Sequence, residues 1–386
     1  MPAYRARIAA VRDAMEKRGI TLLYLPNSSA LEYVTGLRRD IPNPTEDNRP
    51  GDWVSGFYLG LAGDPIVLEP RMGSERLERQ LAGLPFACDL RVLGEPDDYS
   101  ARQAEAVREL RGRSGNVALG ERTWAKTAID LLRAAPGAAL VNAHDFIAPM
   151  RMIKDAEEQS IMRRNALLTD DVYEAILPGM ALGMSEQDIA WAIDRAIVGF
   201  GGEGVSFHTH IHIDGAGANR EGSIHDTLTP QTLQRGTALA FDFGMLKDGY
   251  CSDFGRTVFI GEPADEYRRV HELVMRAQAA AIDAMRDGEI SAAGLDRVAR
   301  SIIRDAGYAE RFIHRLGHSI GKDVHEPPFL LEGDDTTLRT GMCFTIEPSV
   351  FMEDGAFIRV EDVVMVSPNG GENFNRTDHE MRVLDL

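Results

Sequence analysis

The 386-residue chain is poor in cysteine. Its three thiols, Cys88, Cys251 and Cys343, are scattered and odd in number. They fit neither a disulfide framework nor a zinc spacing, and they suit a reducing compartment. Basic charge is also short: 42 Lys and Arg stand against 60 Asp and Glu, a formal net charge of −18. Phosphate backbones and anionic lipid surfaces repel such a chain, so nucleic acid and membrane are excluded as expected partners. No run approaches the ~18 apolar residues of a membrane-spanning helix. The N-terminus lacks the apolar core and small-residue cleavage site of a secretory leader. The expectation is a cytoplasmic protein long enough for two domains, each with its own core.

What is present divides near residue 145. Short apolar runs at 21–26, 56–61, 65–70, 116–119 and 138–141 read as strands, and segments 3–18, 73–82, 100–112 and 122–134 carry helical periodicity. Residues 1–145 therefore predict an α/β domain with a largely buried sheet. One Pro-, Asp- and Asn-rich stretch, 38–53, interrupts it as a long loop. From 146 to 386 the style is α+β, with helices predicted over 155–176, 186–199, 264–286 and 292–306, separated by hairpins. Ser185 and Asp188 form a capping box opening the second of these.

The hairpin "FDFGMLKDGYCSDFGRT" (241–257) carries acids where apolar residues are expected. Lys247-Asp248-Gly249 has turn chemistry. Folding about that turn predicts that Asp242 faces Asp253 across the ladder, with Cβ atoms about 5 Å apart. At an effective dielectric of ~20, two carboxylates there repel by roughly 3 kcal/mol. A shared proton, a basic partner or a metal cation must offset that. The "DFG" triplets resemble those of protein kinases, but no Gly-rich loop, VAIK or HRD stretch accompanies them, so that reading fails.

The two helix pairs share Gly, Ser and Phe in the same order at offsets of about 105, which marks an internal repeat and predicts a second acid hairpin. "FTIEPSVFMEDGAFIRVED" (344–362) is that hairpin, with Glu347 and Glu361 symmetric about Asp354. Between the hairpins, "RLGHSIGKDVHEPPF" brings His318 and His325 into a Gly-flanked bend. Four carboxylates and two imidazoles therefore converge on one site.

The order Asp242, Asp253, His318, Glu347, Glu361 with gaps of 11, 65, 29 and 14 resembles the dinuclear metallopeptidases of the pita-bread fold. "RMIKDAEE", "GYCSDFGRT", "GHSIGKDVHE", "FTIEP" and "IRVEDVV" are similar to their Xaa-Pro branch, the creatinase/prolidase/aminopeptidase P group. The resemblance implies a creatinase-type N-terminal domain (1–145), a pseudo-two-fold catalytic domain (146–386) and hydrolysis of Xaa-Pro bonds. It implies two divalent ions, Mn²⁺ first, with Co²⁺, Zn²⁺ or Fe²⁺ also suited to oxygen-rich ligands. Asp242 would chelate one ion, Asp253 and Glu361 would bridge, and His318 and Glu347 would bind the other. Glu347 would also shuttle a proton, while His225 and His325 would assist catalysis on the substrate side. A small peptide substrate and a homodimer are implied as partners.

The chain departs from that pattern at Phe329, where many prolidases carry an Arg that holds the substrate carboxylate. Arg359 or an Arg of the first domain is expected to substitute. His208, His210 and His212 share one strand face, read as pocket lining rather than a third metal site, with His212 nearest the cleft. Arg38, Arg39, Arg49 and Trp53 in the 38–53 loop suit a lid that contacts substrate, within one chain or across a dimer. The alternative is a non-peptidase hydrolase or lyase on the same fold. A binding protein ranks last, because such homologues have lost ligands and all five are present here.

Overall fold

The computed structural model describes residues 2–39, 50–112, 114–215 and 229–386. Two compact units emerge, Met1–Arg151 and Met152–Leu386.

The first unit runs α1 (Pro2–Lys17), β1 (Ile20–Leu25), α2 (Ser29–Thr35), β2 (Gly56–Gly60), β3 (Ile66–Pro70), α3 (Arg71–Leu81), β4 (Asp89–Leu93), α4 (Tyr99–Arg111), β5 (Asn116–Leu119), α5 (Ala125–Ala134), β6 (Leu140–Asn142) and α6 (His144–Met152). Its six strands form one mixed sheet in the order β4-β3-β2-β1-β5-β6. Every residue of β1 and β2 is buried, as a sheet covered on both faces requires. The unit extends to Arg151 rather than 145 because α6 seats Phe146 and Ile147 in the same core as Leu23, Leu25 and Phe57.

The second unit begins with α7 (Ala156–Ile176) and α8 (Glu186–Gly199), followed by β7 (Gly204–Val205), β8 (His210–Gly215), β9 (Thr237–Phe243), β10 (Met245–Lys247), β11 (Tyr250–Cys251) and β12 (Phe254–Ile260). Then come α9 (Asp265–Ala284), α10 (Ala292–Asp305), β13 (Gly317–Ser319), β14 (Glu326–Leu330), β15 (Cys343–Ile346), β16 (Ser349–Phe351), β17 (Phe357–Ser367), β18 (Gly370–Asn373) and β19 (Arg382–Leu384). The capping box of Ser185 with Asp188 opens α8 as expected, and Asp155 with Glu158 makes another at α7.

The main sheet has the spine β14-β13-β15-β17-β12-β9-β8. Its midline is the β12–β17 pair, and the order reads outward in the same sense on each side: β9 then β8, β15 then β13. That is the internal repeat in three dimensions. One helix pair covers each half. Leu239, Phe241, Phe243, Phe254 and Val258 pack with α7 and α8, while Phe344, Ile346, Ile358 and Val360 pack with α9 and α10. Strand alternation does the rest. Because Leu239, Phe241 and Phe243 face the helices, Asp242 between them faces away into the concave side.

The register corrects one expectation. The first hairpin turns about Asp248-Gly249, both at positive φ (50° and 72°), one residue later than the symmetric fold assumed. Asp242 therefore pairs with Gly255, not Asp253, and Asp253 lies in the break between β11 and β12. In the second hairpin, Ile346 pairs with Asp362 and Ser349 with Arg359, which brings Glu347 level with Glu361 as expected.

Candidate active site

Gly255 is the hinge of the arrangement. It pairs with Asp242 on one side and Glu361 on the other, so three neighbouring strands present acid, gap, acid at one level. A Cβ at Gly255 would stand 2.5 Å from Glu361 Oε2 and 2.7 Å from Arg359 Cδ. Only a residue without a side chain leaves that space. Ligand atoms of Asp242, Asp253 and Glu361 lie within 4.8 Å of one another. His318 Nε2 is 3.6 Å from Asp253 Oδ2 and 3.4 Å from Glu347 Oε1. Its Nδ1 lies 3.1 Å from the Ser319 carbonyl. A carbonyl only accepts, so Nδ1 carries the proton and Nε2 turns its lone pair toward the acids.

The electrostatics are those of an acidic cluster in which four carboxylates share the Arg359 guanidinium. Burial, then the neighbouring carboxylates, push the Asp253 and Glu361 carboxyls well above their ordinary range. Burial also raises Asp242, against the pull of Arg359. Burial would raise Glu347, but Arg359 together with His318, His314 and Arg315 more than offsets it, so its carboxyl is lowered. His318 is pushed down to about 4 by burial, so its ring is neutral. Asp253 Oδ1 and Glu361 Oε2 are buried without a hydrogen-bond partner, which is costly unless something else binds them.

The cavity above these groups measures about 280 Å³, and Phe207, His210, His314, Arg315, Val324 and His325 complete its walls. His325 stands with its ring 4.3 Å from that of His318, at 90°. His210 pairs in register with Asp242 and lines the cavity. His212 sits one step along, stacked at 6.4 Å on His210 and edge-on to Phe357, and is not among the lining residues.

Arg359 is not a spare cation. Its Nη1 meets Asp242 Oδ2 at 2.5 Å, Nη2 meets Glu347 Oε2 at 3.2 Å, and Nε donates to Ser349 Oγ at 2.9 Å. Its Nη1 also stands 3.5 Å from Glu361 Oε2, so Arg359, expected as a substrate contact, is engaged by three acids of the cavity. Phe329 also lies off the cavity wall. In the first unit, Arg38 and Arg39 pair with the buried Glu32 at 3.3 and 3.5 Å, and Trp53 packs edge-on to Tyr99. His225, Arg49 and the rest of 40–49 lie outside the described residues. His314 and Arg315 were not anticipated. The signal was a second His four residues before His318, within "HRLGH".

Residues 160–368 match the model of metallopeptidase family M24, and residues 7–153 match the creatinase/prolidase N-terminal domain. The chain belongs to metallopeptidase family M24. A Xaa-Pro dipeptidase of Lactobacillus helveticus is 38% identical to this M24 peptidase over 95% of each chain. Among solved structures, a prolidase from Thermococcus sibiricus superposes with a TM-score of 0.88 at 28% identity, covering 99% of both chains. Dipeptidase PepE from Mycobacterium ulcerans gives 0.83 at 30% identity, covering 100% of this chain and 99% of its own. The fold is thus the pita-bread catalytic domain behind a creatinase-type domain.

The dinuclear metal dependence of an M24 enzyme fits the residues. The four carboxylates exceed Arg359 by three negative charges, and two buried carboxylate oxygens have no hydrogen-bond partner. Hard oxygen donors with one imidazole and no thiolate suit first-row divalent ions. Among the described residues no helix is long and apolar enough to cross a membrane.

Proposed function

We propose that this protein is a cytoplasmic, homodimeric Xaa-Pro dipeptidase that uses two divalent ions, Mn²⁺ foremost, held by Asp242, Asp253, His318, Glu347 and Glu361. What supports the reading is that all five donors line one cavity, two of their buried oxygens making no hydrogen bond, in a chain similar over its length to a Xaa-Pro dipeptidase. When bound, such ions lower the pKa of a shared water and polarise the scissile carbonyl. Glu347, ionised beside Arg359, takes the proton from the attacking water and passes it to the proline nitrogen. His325 stands at the cavity wall, where an N–H donor stabilises charge developing on the carbonyl oxygen. His225, from its place in the sequence, is assigned to the same substrate side. Phe207 and Val324 offer the apolar surface a proline ring needs.

A hydrolysis panel tests this reading. Xaa-Pro dipeptides, Xaa-Pro-Yaa tripeptides and non-prolyl dipeptides are assayed with Mn²⁺ or Co²⁺ and after chelation. Metal-dependent cleavage of Xaa-Pro dipeptides is expected, with tripeptides slower. Equal turnover of non-prolyl dipeptides, or activity that survives chelation, would refute it.

A further inference from the structure

A dipeptide ending in proline brings a free carboxylate within a few bonds of the scissile nitrogen. The cavity it enters is walled by four acids, in a chain of net charge −18. Without a reserved cation, that carboxylate is repelled from its own active site. The problem presupposes the Xaa-Pro reading above, and the site contains an answer to it.

Among the described residues, two arginines line the cavity, Arg359 and Arg315. Arg359 already binds Asp242, Glu347, Glu361 and Ser349. Arg315 differs in every respect. Its side chain makes no hydrogen bond or ion pair with any described residue, and its Nε is buried without a partner. Its guanidinium lies over the Phe329 ring, 5.3 Å from the centroid. An aromatic face beneath a guanidinium supports it without consuming its N–H groups, which can then take a carboxylate through two parallel bonds. The backbone beneath is held as well, since His314 Nδ1 lies 2.6 Å from the Arg315 carbonyl.

We propose that Arg315, supported over the Phe329 ring, is the anchor for the substrate's free α-carboxylate and sets the preference for dipeptides. Arg315 shares one cavity wall with His318 and His325. It is therefore within reach of a group bound beside them. The aromatic residue at 329 supplies the platform rather than the charge.

The experiment compares Ala-Pro with its C-terminal amide, Ala-Pro-NH₂, on metal-loaded wild-type protein and on Arg315→Met and Arg315→Lys. Wild-type protein is expected to favour the free acid. Arg315→Met should lower kcat/KM for Ala-Pro by ~10²-fold or more, mostly through KM, because it removes one partner of a desolvated charge pair. The amide, with no carboxylate to lose, should fall by less than about tenfold. Arg315→Lys, which keeps the charge but not the fork, should fall between. Metal content near two per chain in each variant shows that the centre is intact. An equal fall on both substrates, or no fall on the acid, would overturn the assignment while leaving Xaa-Pro hydrolysis standing. If wild-type protein cleaves neither substrate with Mn²⁺ or Co²⁺, the Xaa-Pro reading fails and this assignment with it.

Discussion

Asp362 follows Glu361 on β17 and points the opposite way, into the sheet's covered face. It is fully buried and has four partners: Arg256 Nη2 at 2.7 Å, His379 Nε2 at 2.7 Å, Asn373 Nδ2 at 2.9 Å and Gln278 Nε2 at 3.0 Å. Arg256 in turn donates through Nη1 to the backbone carbonyls of Glu361 (2.6 Å) and Gly255 (2.9 Å), so the pair clamps the strand seam that shapes the metal centre. Replacing Asp362 by Asn keeps the shape but removes the charge opposite a buried guanidinium. Breaking a buried pair costs ~3–5 kcal/mol. The Asn oxygen still accepts from Arg256, yet its amide must face at least one remaining donor, a further ~1–3 kcal/mol. Since the retained bond offsets part of this, the expected loss is about 3 kcal/mol. With a urea slope of ~3 kcal/mol/M, the midpoint falls by about 1 M. The midpoint is the quantity to compare, because two units need not unfold in one step. Circular dichroism at pH 7 provides it, with the exposed Asp283→Asn as reference. The sign with pH is also determined. Burial would raise Asp362, but Arg256 and His379 hold it well below the usual carboxylate range. Its contribution is therefore complete above the unfolded value near 4 and is lost only as pH falls below it. A midpoint within about 0.2 M of wild type, or a difference that closes already above pH 5, would refute the reasoning.

Three other outcomes are expected. Asp253→Asn and Glu361→Gln each remove a charge from the centre, and both should abolish activity and metal occupancy while circular dichroism shows the fold intact. Full activity in a folded Asp253→Asn protein rules out the ligand assignment. His325→Ala should lower kcat by ~10²-fold with metal content unchanged, and loss of metal instead would make His325 a ligand. His271, buried on α9 near Arg256 and His379, is pushed down to about 4, chiefly by burial. The unfolded ring takes its proton near 6.5, so the unfolded state binds more protons between those values. Stability therefore declines as pH drops through that window, by roughly 3 kcal/mol from this residue at most. His271→Leu should show a flatter stability profile between pH 7 and 4, and an identical slope in the variant refutes the assignment.

How far the site could be read from the chain turns on the strand period. Leu239, Phe241 and Phe243 alternate with Asp242, and Ile358 and Val360 alternate with Arg359 and Glu361. Apolar residues at every second position point to helices on one side, so the interleaved acids belong on the other, and that much is legible without coordinates. The cross-strand partner is less secure. Placing the turn centre one residue too early moved Asp242's partner from Gly255 to Asp253, a slip of two. A slip of two preserves the face, whereas a slip of one would have sent the acids into the helices. The convergence of carboxylates therefore survived an error in pairing. Strand β4 escaped because, as a half-exposed edge strand, it carries no apolar run. His210 rather than His212 reaches the cavity because the β8–β9 pairing sets that register, and repeat spacing carries no information about it.

Arg315 was illegible for a different reason. Its reading depends on its making no side-chain hydrogen bond or ion pair among the described residues, which the order of residues along a chain does not display. Gly255 is the mirror case. It reads as an ordinary glycine in "DFGRT", yet its missing side chain is what lets Asp242 and Glu361 face one space from strands on either side. Gly255→Ala would place a methyl 2.5 Å from Glu361 Oε2. That displaces a carboxylate from the centre without changing any charge, so the site depends on the shape of the seam as much as on the acids that flank it.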